Sequence, residues 1–147
     1  MSSTGDPTAT AGRDLGPRLD PARLAVARFA AGWYPAGSVA GFSALVRDDS
    51  GTTLVCSEDG LEAIGDSSPA IAVEPGWRRI TFAGPLPGEL VGLLADVAGR
   101  LAGAQIPFTS MSGFTTDHAL VRAAHADPAV QTLRGGPPPV QRPGTNP

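Results

Sequence analysis

The stretch Ser112–His118, SGFTTDH, sets hydroxyl, carboxylate and imidazole side chains next to one another. Such a group could form a catalytic dyad, a metal site or a binding turn. DHALVRA, which begins at Asp117, predicts a β-strand, and successive side chains of a strand point to opposite faces. Asp117 and His118 are therefore predicted to serve different sites, which argues against a catalytic dyad. Three or four converging ligands would be needed for a metal, and His125 has no Cys or Glu cluster near it.

Nucleophilic and phosphate chemistry lack their motifs as well. No GxSxG elbow surrounds a serine, and neither GxGxxG nor GxxxxGK[ST] occurs in GPLPGELVG, the turn that precedes the best predicted helix. The chain has no Lys, so all 11 basic residues are Arg, which excludes Schiff-base chemistry. We therefore predict that the protein is not an enzyme and holds neither a cofactor nor a metal ion.

Charge and cysteine content narrow the class of protein further. The net charge of -3 argues against nucleic-acid binding, which needs a basic surface. Cys56 is the only cysteine, so no intrachain disulfide forms and a reducing cytoplasm is predicted. The N-terminus lacks the basic and apolar regions of a signal peptide. The apolar run Leu90–Ala104 is too short to span a bilayer, so no membrane contact is predicted.

The composition of the two ends predicts disordered tails at residues 1–18 and 135–147, because Ser, Thr, Gly and Pro dominate them. Between the tails we predict one unit at 19–74, in a degenerate form, and another at 75–134. Strands are predicted at Arg23–Phe29, Phe42–Arg47, Thr52–Cys56 and Trp77–Ala83, followed by a helix at Glu89–Ala104, two strands joined across GFTT, and a helix that begins near Pro128 with Asp127 as its N-cap.

This order predicts an α+β protein built from ferredoxin-like βαββαβ units with antiparallel sheets and helices on one face. The second unit lacks its closing strand, since GGPPP follows its last helix. The first half of the chain or a partner chain could supply that strand. Gly92, Ala95 and Gly99 fall near one face of the predicted helix, where they either permit close approach of another element or reflect GC-rich coding.

The segment Gly76–Val121 resembles the small ACT-domain proteins of the CASTOR type, and the similarity extends over nearly all of Arg23–Arg134. The motifs that carry the resemblance are Gly76-Trp77-Arg78, Gly84-Pro85-Leu86, Gly92-Leu93-Leu94-Ala95, Ser112 with Thr116-Asp117, and Leu120-Val121. The resemblance implies two ACT units in tandem, which bind small ligands, usually amino acids, at the interface between units. Departures from the family pattern at Gly113, Thr115 and His118 leave the ligand open.

In such proteins the ligand contacts come from the loop and helix start after the first strand, and from the strand that faces them. The ligand-binding residues implied here are Gly88, Glu89, Leu90, Val91, Gly92, Ser110, Met111, Ser112, Thr116 and Asp117. A helix start with free N–H groups suits a carboxylate, and glycines let the backbone approach it. Asp117 either presents its carboxylate to a cationic ligand group or closes its own turn through a local hydrogen bond.

The predicted function is a non-enzymatic, amino-acid-binding regulatory module of ACT type, present as a homodimer or bound to an effector protein. The alternative is an ACT-fold interaction or dimerisation module that has lost ligand binding.

Overall fold

A computed structural model describes residues 14–65, 70–82 and 90–135 of the chain. Within them the chain forms six strands and three α-helices. In chain order these are β1 (Pro17–Phe29), β2 (Ser43–Asp48), β3 (Gly51–Ser57), α1 (Glu58–Ile64), β4 (Ala72–Phe82), α2 (Leu90–Gly103), β5 (Phe108–Ser112), β6 (Asp117–Arg122) and α3 (Ala126–Leu133), with a 3-10 turn at Ala123–His125 before α3.

The strands form one sheet with the order β2-β3-β1-β4-β6-β5. The pairs β1–β3, β2–β3 and β5–β6 are antiparallel. The α+β class with an antiparallel sheet is thus confirmed. The prediction of separate sheets is corrected, because β1 and β4 are neighbours within a single sheet.

The chain divides into two compact units. We call Pro21–Arg79 the central unit, and Met1–Asp20 together with Ile80–Pro147 the terminal unit. The predicted tails fall largely on residues 1–13 and 136–147, which lie outside the described residues. β1 begins at Pro17, just before the predicted end of the N-terminal tail.

The terminal unit contains the end of β4, then α2, β5, β6 and α3, and it also includes the first residues of β1. The sequence predicts no closing strand after α3, and Pro17–Asp20, which precedes the central unit, belongs to this unit. The Leu15 N–H donates to the Leu133 carbonyl at 3.0 Å, and Leu15 and Leu19 pack against the core. The first half of the chain therefore supplies a strand segment here.

The core of the terminal unit lies between its helices and one face of its strands. In α2, Leu93, Val97 and Leu101 are spaced by four residues, so they share one helix face. Val97 and Leu101 are buried and Leu93 packs against them. In α3 the buried residues follow the same period. The buried core comprises Ile80, Phe82, Val97, Leu101, Ile106, Ala119, Val121, Ala126, Ala129, Val130 and Leu133.

The end of α2 is closed by three backbone bonds, from Ala104, Gln105 and Ile106 to carbonyls of the last turn. Gln105 has φ 57°, a left-handed conformation in which glycine is the usual residue. This closure turns the chain directly into the approach to β5, with Ile106 buried in the core.

The central unit has a smaller core that includes the buried side chains of Phe29 and Leu54. The ring of Trp33 stacks on Phe29 with centroids 3.6 Å apart. Thr52 donates to the Trp33 carbonyl at 3.4 Å, which fastens the irregular segment after β1 to β3. Cys56 is fully buried in this core, as its apolar surroundings in the sequence predict.

The turn between β2 and β3 follows from its sequence, DDSG. The Ser50 hydroxyl and N–H both donate to the Asp48 carboxylate, and these bonds hold the pKa of Asp48 below its usual value. Gly51 has φ 149°, and a Cβ at this position would lie 2.8 Å from the Phe29 carbonyl oxygen. A glycine is therefore required where the hairpin passes β1.

One local prediction is corrected. The last helix begins at Ala126 with His125 at its N-cap position and no side-chain cap, so Asp127 lies in the first turn instead. The 3-10 turn leads directly into α3, and its Ala123 carbonyl accepts the Ala126 N–H at the helix start. In addition, a Cβ at Gly92 or Gly99 would meet nothing within 4 Å among the described residues. Close approach at the small residues of α2 is therefore not observed there.

Candidate functional site

The β5–β6 hairpin carries the polar stretch that the sequence singles out. Ser112 pairs with Asp117 at the last rung of the hairpin, and Met111 pairs with His118 one rung below. The Gly113 N–H donates to the Thr116 carbonyl at 2.8 Å and closes the turn. Phe114 stands at the tip with its side chain fully exposed. The hairpin therefore brings Ser112, Thr116 and Asp117 together.

Asp117 is a buried carboxylate that is only half satisfied. Its side chain is 1% exposed, and Oδ1 accepts a hydrogen bond from the Ser112 hydroxyl at 2.5 Å. Oδ2 is buried and has no hydrogen-bond partner within the described residues. A buried polar atom without a partner is costly, so natural proteins rarely retain one unless it receives a ligand, an ion or water.

This geometry bears on both roles that the sequence allowed for Asp117. One oxygen closes the hairpin, although its partner is the side chain of Ser112 and not the backbone. The other oxygen stays available as an acceptor. The same carboxylate therefore stabilises the turn with one oxygen and has a second, buried oxygen without a partner in the described residues.

His118 has different partners, as strand alternation predicts. Its Nδ1 lies 3.0 Å from Oγ1 of Thr81 in β4, and its Nε2 lies 3.0 Å from Oγ1 of Thr116. The side chain of His118 is 8% exposed. Asp117 and His118 thus take part in separate hydrogen-bond groups, and they form no acid–base pair.

The other predicted site residues that the structure describes lie on β5 and at the start of α2. Ser110 pairs with Ala119 and is exposed, and Met111 is partly buried. Because side chains alternate along β5, Ser110 shares the face of Ser112, while Met111 points to the opposite face. Leu90 is the first residue of α2, Val91 the second, and Gly92 is exposed on it. Gly88 and Glu89 lie outside the described residues.

The start of α2 belongs to the same end of the terminal unit as the hairpin. The Thr81–His118 contact places the end of β4 beside the start of β6. The chain leaves β4 at Phe82 and enters α2 at Leu90, and α2 then returns it to the start of β5. The free N–H groups at a helix start carry a partial positive charge that favours anions. A buried carboxylate and an anion-favouring helix end therefore occur at one end of the unit.

The sequence did not single out Thr81 as a partner for the hairpin. Ile80 and Phe82 on either side of it are buried in the core, so Thr81 points to the opposite face. A threonine that is 4% exposed between two core residues needs a hydrogen-bond partner. The sequence does place a threonine on one predicted strand and a histidine on another. The two can be recognised as partners only once β4 is known to lie beside β6.

Two cavities of the described residues lie away from the hairpin. The central unit has a cavity of about 270 Å³ between the segment after β1 and α1, lined in part by Gly37, Val39 and Ile64. The terminal unit has an open groove of about 680 Å³ along α3, lined by Leu19, Asp127, Val130, Gln131, Arg134 and Gly135. Neither includes a predicted ligand-binding residue.

The described ranges contain neither a cluster of metal-ligand residues nor a helix that could span a membrane. No group of three or more His, Cys, Asp or Glu residues there could hold a metal ion. Among the helices of the described part, none has the length and apolar character needed to cross a membrane.

The sequence and the fold are similar to those of known proteins. Residues 72–135 match the ACT domain family. No curated protein matches the sequence significantly. A solved protein of Agobacterium tumefaciens is 25% identical with a TM-score of 0.66, over 80% of this chain and 85% of that one.

Two other solved structures are similar in fold. A Vibrio cholerae protein of unknown function, described as a possible transport protein, is 23% identical with a TM-score of 0.63, over 86% of this chain and 93% of that one. The ligand-free regulatory subunit of aspartate kinase from Thermus thermophilus is 12% identical with a TM-score of 0.57, over 80% of this chain and 95% of that one. The family match covers β4 to α3, and the α+β architecture of the chain is similar in fold to that regulatory subunit.

Proposed function

We propose that the protein is a non-enzymatic regulatory module of ACT type that binds a small molecule with a cationic group, most simply an amino acid. The proposal rests on the buried carboxylate of Asp117. Its carboxylate is 1% exposed, Ser112 satisfies one oxygen, and the other oxygen has no partner within the described residues. An ammonium or guanidinium group would satisfy that oxygen with a charge-assisted hydrogen bond.

The remainder of an amino acid would be recognised at the same end of the terminal unit. Its carboxylate suits the start of α2, where the first N–H groups lack helical partners. Gly88 and Gly92 would let the backbone approach the ligand, and Glu89 would meet an ammonium. Ser110 and Ser112 lie on one face of β5 and would add hydroxyl contacts, while Thr116 keeps the turn closed.

We further propose that the chain is a tandem ACT protein of the CASTOR-like type, with the central unit as a degenerate ACT unit. The central unit has the strand order β2-β3-β1-β4, with the irregular segment after β1 where a ferredoxin-like unit has its first helix, and this supports the assignment. The predicted domain boundaries at 19–74 and 75–134 and a cytoplasmic location belong to the same proposal.

A second candidate is an interaction module that works without a ligand, as a homodimer or with an effector protein. The side chain of Phe114 would serve such a contact, because it is fully exposed at the tip of the hairpin. In that case Asp117 would serve the hairpin alone.

The two candidates are separated by thermal unfolding with each of the twenty standard amino acids at millimolar concentration. A ligand at about 100 times its Kd stabilises a protein by about 2.7 kcal/mol, which is easily measured. For any amino acid that stabilises the protein, the N-acetyl derivative tests whether its ammonium is the group recognised. If none of the twenty raises the unfolding midpoint, amino-acid binding is wrong and the interaction module is favoured.

A further inference from the structure

The imidazole of His118 connects two hydroxyl groups within the terminal unit. Nδ1 lies 3.0 Å from Oγ1 of Thr81 at the end of β4, and Nε2 lies 3.0 Å from Oγ1 of Thr116 at the hairpin. Both His118 and Thr81 are buried, so these bonds are shielded from water. A neutral imidazole has one donor and one acceptor, and a hydroxyl can act as either, so both tautomers satisfy the chain of bonds.

Thr116 is also the residue that closes the hairpin. Its carbonyl oxygen accepts the bond from the Gly113 N–H at 2.8 Å. A Cβ at Gly113 would lie 3.2 Å from Oγ1 of Thr116, so the hydroxyl sits directly against the backbone of the turn. The Thr81–His118–Thr116 chain therefore fastens the hairpin tip to β4.

We propose that His118 is a positioning residue for Asp117, which lies next to it on β6 and points to the opposite face. Ser112 orients Oδ1 of Asp117, but no hydrogen bond of the described residues orients Oδ2. The direction of Oδ2 then depends on the hairpin backbone, which His118 holds from the other face. The inference rests on the proposed function, because the direction of Oδ2 matters to binding only if Asp117 receives a ligand.

The test uses the full-length chain with His118→Phe, alone and combined with Thr81→Val. Phenylalanine keeps a ring in place of the imidazole and removes both nitrogens. Alone, it leaves the Thr81 hydroxyl buried without this partner, which lowers stability. The added Thr81→Val change removes that hydroxyl, and replacing both partners of a buried bond by apolar groups of similar shape is nearly neutral for stability. The Thr116 hydroxyl, which also loses the imidazole, is only partly buried and can bond to water. His125→Phe is the matched control, since it makes the same exchange outside the hairpin.

Two measurements separate positioning from a merely structural role. In the double variant we expect a thermal midpoint close to wild type, yet amide hydrogen exchange at Gly113 roughly fivefold faster, the factor expected for the loss of one hydrogen bond. We also expect weaker stabilisation by whichever of the twenty amino acids, each tested singly at millimolar concentration, stabilise wild type. His125→Phe should match wild type in both measurements.

Three results would overturn parts of this scheme, and they are distinguishable. Wild-type exchange at Gly113 in the double variant would mean that His118 does not hold the hairpin. Faster exchange with undiminished amino-acid stabilisation would mean that holding the hairpin does not position Asp117. A wild-type protein that none of the twenty amino acids stabilises would overturn the proposed function itself, whatever Gly113 does.

Discussion

The Ser112 hydroxyl donates to Oδ1 of Asp117 across the last rung of the β5–β6 hairpin, at 2.5 Å. This bond ties a residue at the end of one strand to a residue at the start of the next, and it leaves Oδ2 of the same carboxylate buried without a partner in the described part of the chain. One oxygen of Asp117 therefore closes the hairpin, and the other is a buried acceptor without a partner there.

We expect Asp117→Asn to weaken stabilisation by a cationic ligand while the protein stays folded. The amide keeps an oxygen for Ser112, but it removes the charge and places an NH₂ donor where a cation would bind. Charge-assisted hydrogen bonds contribute about 1.5–3 kcal/mol, so binding should weaken by roughly tenfold or more. Isothermal titration gives the affinity, and the thermal midpoint reports the fold.

Asp49→Asn is the control for this change, because Asp49 is an exposed aspartate of the β2–β3 turn. It should leave ligand binding unchanged. A large loss of stability in Asp117→Asn together with intact binding would assign Asp117 to the hairpin alone.

We expect Leu101→Ala to destabilise the protein by about 2–5 kcal/mol, since Leu101 is fully buried in the core of the terminal unit. Chemical denaturation measures the change in the free energy of unfolding. Phe114→Ala should change it by less than about 0.5 kcal/mol, because the Phe114 side chain is fully exposed. Equal losses in the two variants would contradict the placement of α2 against the sheet.

Two glycine substitutions should have opposite effects on stability. Gly99→Ala should stabilise the protein by up to about 1 kcal/mol, because a Cβ in α2 would meet nothing within 4 Å and alanine has the higher helix propensity. Gly51→Ala should destabilise it, because its Cβ would lie 2.8 Å from the Phe29 carbonyl oxygen at φ 149°. Thermal unfolding of both variants measures these changes in stability. A destabilised Gly99→Ala would indicate that another element approaches α2 there.

Ser57→Ala should cost about 1 kcal/mol of stability, since the Ser57 hydroxyl accepts the Gly60 N–H at 2.9 Å and caps α1. Ser43→Ala is the matched control, because Ser43 is exposed at the start of β2. The difference between the two free energies of unfolding measures the cap. A difference near zero would mean that water replaces the hydroxyl without loss.

Burial raises the pKa of the Cys56 thiol above its usual value. The folded state therefore binds more protons than the unfolded state once pH exceeds the unfolded pKa of about 8.5, and stability should fall as pH rises through that region. Chemical denaturation from about pH 7 to about pH 9.5 should show the loss in wild type and a smaller pH dependence in Cys56→Ala. A thiol reagent should modify Cys56 only as fast as the protein unfolds.

Local elements followed closely from the sequence, because period and turn chemistry are local. The DDSG turn predicted the β2–β3 hairpin, and the helical spacing of Val97 and Leu101 predicted α2 within one residue at each end. The start of α3 was predicted less well, as His125 and Asp127 show. A capping preference pointed to Asp127, while the 3-10 turn before α3 moved the helix start to Ala126.

Long-range pairing could not be predicted in the same way. The prediction that Asp117 and His118 diverge rests on strand alternation alone, and their separate partners agree with it. The contact between Thr81 and His118 depends on β4 lying beside β6, residues far apart in sequence. The single sheet likewise depends on β1 and β4 being neighbours, which no local pattern records.

The division of β1 between the two units has a consequence for how the protein is made. Pro17–Asp20 is synthesised before the central unit, but its companions in the terminal unit begin only at Ile80, and α3 follows later still. The central unit, Pro21–Arg79, is continuous and can fold during that delay. Its folding would shorten the loop that must close between Asp20 and Ile80, and so lower the entropic cost of completing the terminal unit.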